Sequence, residues 1–126
     1  MPDDRLVLGI DPGSRCMGYG VVRERSGVLT LVEAGTVRPA AEAMSVRLGL
    51  MYSRIEQLLQ THSPQAVAVE NVFFARNSDS ALKLGQARGA VLAACGVHRV
   101  EVFGYEPTLV KKSLVGAGRA EKSQVS

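Results

Sequence analysis

Two carboxylates stand where an α/β protein tends to place its chemistry. Asp11 follows the apolar run LVLGI at 6–10 and opens the turn Asp11-Pro12-Gly13-Ser14. Glu70 closes the run AVAVE at 66–70 in the same manner. A charged group at the end of a buried strand is costly unless it is paired, hydrogen-bonded or holding a cation. Open α/β sheets build their sites at the ends of their strands. If the two strands are neighbours, the carboxylates converge. Two hard oxygen donors then suit Mg²⁺, with water and a substrate phosphate completing the shell. The competing reading is plainer: Asp11 caps its own turn and Glu70 pairs with an arginine.

Other residues near these positions also bear on chemistry. Gly13, Gly18 and Gly20 would let backbone amides approach a phosphate. The turn is not a Walker A loop, because no Gly-Lys-Ser/Thr follows it. Phe73 and Phe74 come directly after the Glu70 strand in a chain that is only 5% aromatic. An exposed ring there would stack on or wedge between bases, whereas a buried one would pack under the next helix. Arg76, Lys111, Lys112 and Lys122 are candidate phosphate contacts, with a solvated surface as the alternative. His62 and His98 are isolated, and Cys16 and Cys95 lie far apart with no C-x-x-C spacing. A structural zinc site is therefore not expected, nor is a thiol or histidine nucleophile.

These side chains need a scaffold. Residues 6–10 read as a strand buried on both faces, hence a central one. Residues 19–25 and 28–37 read as two more strands joined by a tight Ser26-Gly27 turn, completing an antiparallel meander. Leu48, Met51, Ile55 and Leu58 or Leu59 then recur at helical spacing between 43 and 62, and Ser63-Pro64 ends that helix. Residues 66–70 form a fourth strand. Asn77, Ser78 and Asp79 offer caps for a second helix running to about Cys95, with Gly96 as its stop. Leu84, Ala87, Val91 and Ala94 would be its buried stripe. The small residues Gly85, Ala87, Gly89, Ala90 and Ala93 suggest close packing on the sheet. Residues 100–105 make a fifth strand, 108–115 a short helix, 116–120 a loop and 121–126 the start of another helix. Strands alternating with helices imply right-handed parallel crossovers. The class is α/β with a mixed five-stranded sheet, its first three strands antiparallel and the later two parallel to the first.

The 126 residues fit a single domain able to bury its own core. Hydrophobic residues make up 46% and charged ones 21%, which argues against disorder. No apolar run approaches the length of a membrane span, and MPDDR does not resemble the start of a signal peptide. A cytoplasmic protein with free thiols and no membrane partner is the expectation. The net charge is +3. Acidic and basic residues balance over 1–60, so the surplus lies in the C-terminal half, with Lys111, Lys112, Arg119 and Lys122 facing Glu106 and Glu121. That bias hints at a phosphate-bearing partner.

Three blocks spread over nearly the whole chain resemble the RuvC-type Holliday junction resolvases. They are GIDPGSRCMGYGVV at 9–22, VENVFFARNSDSALKLGQARG at 69–89 and VKKSLVGAGRAEKSQV at 110–125. The middle block is long and specific. The resemblance implies an RNase H-like fold and a homodimer that nicks two symmetric strands of four-way junction DNA. It implies two Mg²⁺ or Mn²⁺ ions per site and cleavage coupled to a branch-migration motor complex. By motif position Asp11 and Glu70 match catalytic, metal-binding carboxylates. Phe73 matches an aromatic that stacks on junction bases, and Lys111 and Lys122 match basic residues near the scissile strand. The family's last two metal ligands belong to an Asp-rich helix that would follow Ser126. Residues 1–126 are thus expected to be one nuclease domain lacking that helix. Two other readings compete: a junction-binding module that does not cut, and a related nuclease acting on structured RNA.

Overall fold

The structure is a computed structural model that describes residues 4–40, 43–70 and 78–105. Five strands form one sheet, β1 (Asp4–Asp11), β2 (Met17–Arg25), β3 (Val28–Val37), β4 (Ala66–Glu70) and β5 (Glu101–Tyr105), in the order β3-β2-β1-β4-β5. β1 pairs antiparallel with β2 and β2 with β3, while β4 runs parallel to both β1 and β5. The mixed sheet and its strand directions follow the expectation, and β1 is the central strand. The β2–β3 turn has positive φ at both Ser26 (51°) and Gly27 (81°). Two such residues give the turn whose twist matches that of the flanking strands.

Two helices, α1 (Met44–His62) and α2 (Ser78–Val97), cover one face of the sheet. That face carries alternate residues of each strand: Leu8 and Ile10, Met17, Tyr19 and Val21, and Val67 and Val69. Against them pack Met51, Ile55, Leu58 and Leu59 of α1 and Ala87, Val91, Ala94 and Cys95 of α2. Fully burying each large side chain of this cluster contributes about 1.5–3 kcal/mol. The parity of the strands then assigns Gly9, Asp11, Gly18, Gly20, Ala66, Ala68 and Glu70 to the opposite face.

The sequence reading needs several corrections. β1 extends from 4 to 11 and β2 begins at Met17, because the ladder pairs Asp4 with Arg25 and Asp11 with Gly18. Gly96 does not stop α2, which continues to Val97. The chain turns instead at Arg99, whose φ is +54°, and the Arg99 and Val100 amides donate back to the Gly96 and Cys95 carbonyls. A glycine costs a helix only ~1 kcal/mol, so tertiary packing overrides it. β5 accordingly starts at Glu101 rather than Val100. Gly85, Gly89 and Ala93 do not pack on the sheet. They are exposed, and a Cβ on either glycine would meet nothing within 4 Å. Within the expected stripe, Ala87, Val91 and Ala94 are buried and Leu84 only half-buried. The expected helices at 108–115 and 121–126 lie outside the described residues.

Candidate active site

Asp11 and Glu70 end adjacent parallel strands. The β1–β4 register runs from Val7 opposite Ala66 to Ile10 opposite Val69, and each carboxylate residue is the next one along. Both lie on the face turned away from the helices, at the same edge of the sheet. Glu70 is buried while Asp11 is exposed. Among the described residues Asp11 makes no ion pair. Glycine surrounds Asp11 on this face. Gly18 is its cross-strand partner, and Gly9 and Gly20 form the next pair. The loop between β1 and β2 folds back on itself so tightly that a Cβ on Gly13 would collide with the Cys16 carbonyl. Only glycine fits there, which fixes how the chain leaves Asp11.

As a donor set, two carboxylates suit a hard divalent cation such as Mg²⁺ or Mn²⁺ but do not complete its shell. Among the described residues no group of three or more His, Cys, Asp or Glu side chains converges. Phe73, Arg76, Lys111, Lys112 and Lys122 lie outside the described residues, as does Phe74.

A second polar constellation sits on the helix side and was not anticipated. Tyr19 Oη donates to Glu33 Oε2 at 3.0 Å, and Arg54 Nη2 donates to Tyr19 Oη at 2.7 Å and to Glu33 Oε2 at 3.1 Å. The Arg54 guanidinium also lies 5.3 Å from the Tyr19 ring centroid. His62 Nε2 meets Glu33 Oε1 at 2.8 Å. The His62 and Tyr19 hydrogen bonds hold the Glu33 carboxyl below its ordinary range. This network fastens α1 to β2 and β3 one residue from Gly18. His98 likewise meets Glu56 at 3.2 Å, joining the end of α2 to α1. Neither histidine is free, and neither has the surroundings of a catalytic base. Cys95 is buried, and burial raises its thiol to about 11. It is no nucleophile.

A cavity of about 510 Å³ opens at the other end of the sheet, near Ser63, Gln65 and His98. It lies among the starts of β4 and β5, away from both carboxylates.

Three antiparallel strands followed by two parallel ones, with carboxylates ending the central pair, define an RNase H-like domain. Comparison with known proteins narrows this. Residues 7–126 match the family described as crossover junction endodeoxyribonuclease RuvC. A protein of that name from Solidesulfovibrio magneticus is 58% identical over 98% of this chain and 73% of its own length. One from Serratia proteamaculans is 46% identical over 95% of this chain and 69% of its own length. Among solved structures, Thermus thermophilus RuvC in complex with a Holliday junction substrate superposes with a TM-score of 0.77. It is 37% identical and covers 87% of this chain, which spans 69% of it. The yeast mitochondrial resolvase Ydc2 shares the fold, with a TM-score of 0.64 at 12% identity. The chain belongs to the RuvC family of crossover junction endodeoxyribonucleases.

Proposed function

We propose that this protein is a structure-selective endodeoxyribonuclease that resolves four-way DNA junctions by paired symmetric nicks, in recombination and repair. One observation carries the reading: Asp11 and Glu70 end neighbouring parallel strands on one face, inside a chain that matches the RuvC family from residue 7 onward. The two carboxylates are the proposed catalytic pair and bind the divalent metal, Mg²⁺ or Mn²⁺. Bound there, such an ion supplies Lewis-acid activation of water and neutralises charge developing on the phosphate. Asp11, exposed at the strand end, meets the scissile strand, and Glu70, buried beside it, holds its place through the fold. Gly18 leaves the flank of Asp11 open to an incoming backbone.

The same reading assigns Phe73 to the unstacked junction centre and Arg76, Lys111, Lys112 and Lys122 to phosphates. The remaining ligands for two ions would come from residues beyond Ser126. A homodimer fits a two-fold symmetric substrate that needs two cuts. Leu82 on α2 is 61% exposed and is a candidate for the dimer interface. Val91, further along α2, is fully buried and belongs to the core. Cytoplasmic location and cooperation with a branch-migration motor complete the proposal.

The test is a labelled synthetic four-way junction incubated with Mg²⁺, beside a linear duplex and a structured RNA, with products resolved on a denaturing gel. The chain should be assayed both as these 126 residues and extended to the length of its relatives. Symmetric nicks in the junction alone, from either form, support the proposal. Cutting of RNA instead, or junction binding without nicks from both forms, overturns it.

A further inference from the structure

The proposed site has a basic border that the sequence does not reveal. Arg15 lies in the loop from β1 to β2, Arg38 directly follows β3, and Arg47 occupies the first turn of α1. The three come from separate stretches of chain, but the topology brings them to one end of the molecule. β1 ends at Asp11 and β2 starts at Met17 beside it, so the loop carrying Arg15 sits at the carboxylate end. Val37 pairs with Met17, which puts Arg38 at the same end. α1 must run from there back to the start of β4, whose first residue pairs with Val7 at the far end. Its first turn therefore also belongs to the carboxylate end.

Among the described residues these guanidinium groups have no carboxylate partner. Arg15 and Arg38 are exposed and make no ion pair among the described residues. Among the described residues the buried Arg47 Nε has no hydrogen-bond acceptor, and its Nη2 donates to the Met44 sulfur, a weak acceptor, at 3.0 Å. Elsewhere the arginines are often neutralised: Asp4 binds both Arg23 and Arg25, and Glu33 binds Arg54. Arg5 and Arg99 also make no ion pair among the described residues, but they lie at the starts of β1 and β5, the opposite end of the sheet. Position, rather than the lack of a partner, distinguishes the first three.

We propose that Arg15, Arg38 and Arg47 form a phosphate-binding border that seats a duplex arm of the DNA substrate beside Asp11 and Glu70. The inference rests on the junction-nuclease reading and adds the surface that holds the substrate backbone. Guanidinium groups suit it, because they bind phosphate oxygens through paired N–H donors and carry no sequence preference.

The experiment is a salt titration of junction affinity, read by fluorescence anisotropy in EDTA so that nothing is cut. Wild-type protein is compared with Arg15→Ala, Arg38→Ala, Arg47→Ala, the triple variant, and Arg5→Ala and Arg99→Ala at the far end. Each phosphate contact contributes about 0.9 to the slope of log K against log salt. The triple variant should lose a slope of about 2.7 and bind at least roughly a hundredfold more weakly near 0.1 M salt. Arg5→Ala and Arg99→Ala should keep the wild-type slope. Arg38→Lys, which retains the charge, should recover most of the slope lost in Arg38→Ala, and thermal melts separate misfolding from lost contacts. A triple variant that melts like wild type and keeps its slope overturns this border. A far-end variant that lowers the slope as much does so too. Wild-type protein that shows no preference for a junction over a linear duplex would instead undo the functional reading beneath it.

Discussion

Asp11 and Gly18 face each other across the β1–β2 ladder, and a methyl group built on Gly18 would stand 3.9 Å from the Asp11 Cβ. That spacing is ordinary contact for a single carbon, but a branched side chain would occupy the flank of the carboxylate. Gly18→Val should therefore leave the fold intact, since valine favours strands, while slowing junction cleavage by tenfold or more. Junction affinity measured without metal should change little. A Gly18→Val protein that cuts at the wild-type rate would show that the flank of Asp11 is not used.

Gly35 answers a different constraint, on the helix side. A Cβ there would approach the Tyr19 hydroxyl to 2.8 Å and its Cζ to 3.0 Å. Tyr19 cannot simply swing away, because its hydroxyl is held between Glu33 and Arg54. Gly35→Ala should destabilise the protein by about 1–3 kcal/mol, the usual cost of overpacking. Denaturant unfolding checks this, and an unchanged midpoint would mean that the Tyr19 ring has more freedom than the network suggests.

Acid should weaken the same network. The Glu33 carboxyl is held below its ordinary value of 4.5, first by the His62 hydrogen bond and then by that of Tyr19. A depressed carboxyl contributes stability that is present above the unfolded-state value and is lost as pH falls through the folded one. Asp4, lowered chiefly by its hydrogen bond to Arg25, acts in the same sense. Wild-type stability should thus decline as pH drops below about 4.5. Glu33→Gln should be less stable at neutral pH but show a flatter acid limb in melts between pH 3 and 7. An acid limb as steep as wild type would remove Glu33 from this account.

The two thiols should react at very different rates. Cys95 is fully buried with its thiol raised to about 11, whereas Cys16 is only part-buried in the loop after Asp11. Thiolate is the reactive form. At pH 8 iodoacetamide should modify Cys16 in the folded protein and reach Cys95 only after denaturant is added. Peptide mass spectrometry distinguishes them, and early labelling of Cys95 would contradict the packing of α2.

What the sequence makes legible follows from how local its signals are. The apolar run ending at Asp11 and the run ending at Glu70 each mark a buried strand and its charged terminus, so the two anchors of the proposed site can be read directly. The Ser26-Gly27 turn is equally local. The end of α2 at Val97 and the turn at Arg99 are not: Gly96 offers the stronger local stop, and only packing against α1 and β5 decides otherwise. The partners of His62 and His98, Glu33 and Glu56, are 29 and 42 residues away in the chain. Histidines that look isolated in the sequence are therefore engaged in the fold. Arg15, Arg38 and Arg47 escape notice for a similar reason, since strand order alone gathers them. Their type was visible, but their common end of the sheet was not.

The most direct measurement is junction cleavage by Asp11→Asn and Glu70→Gln, each made in the protein extended to the length of its relatives. Both substitutions keep side-chain size and remove a negative oxygen donor. With Mg²⁺ and a labelled four-way junction, each should reduce cutting by at least about a thousandfold, ~4 kcal/mol in barrier height, while junction affinity in EDTA and melting temperature stay near wild type. Either variant nicking the junction at the wild-type rate would contradict the claim that these two strand-end carboxylates form the active site.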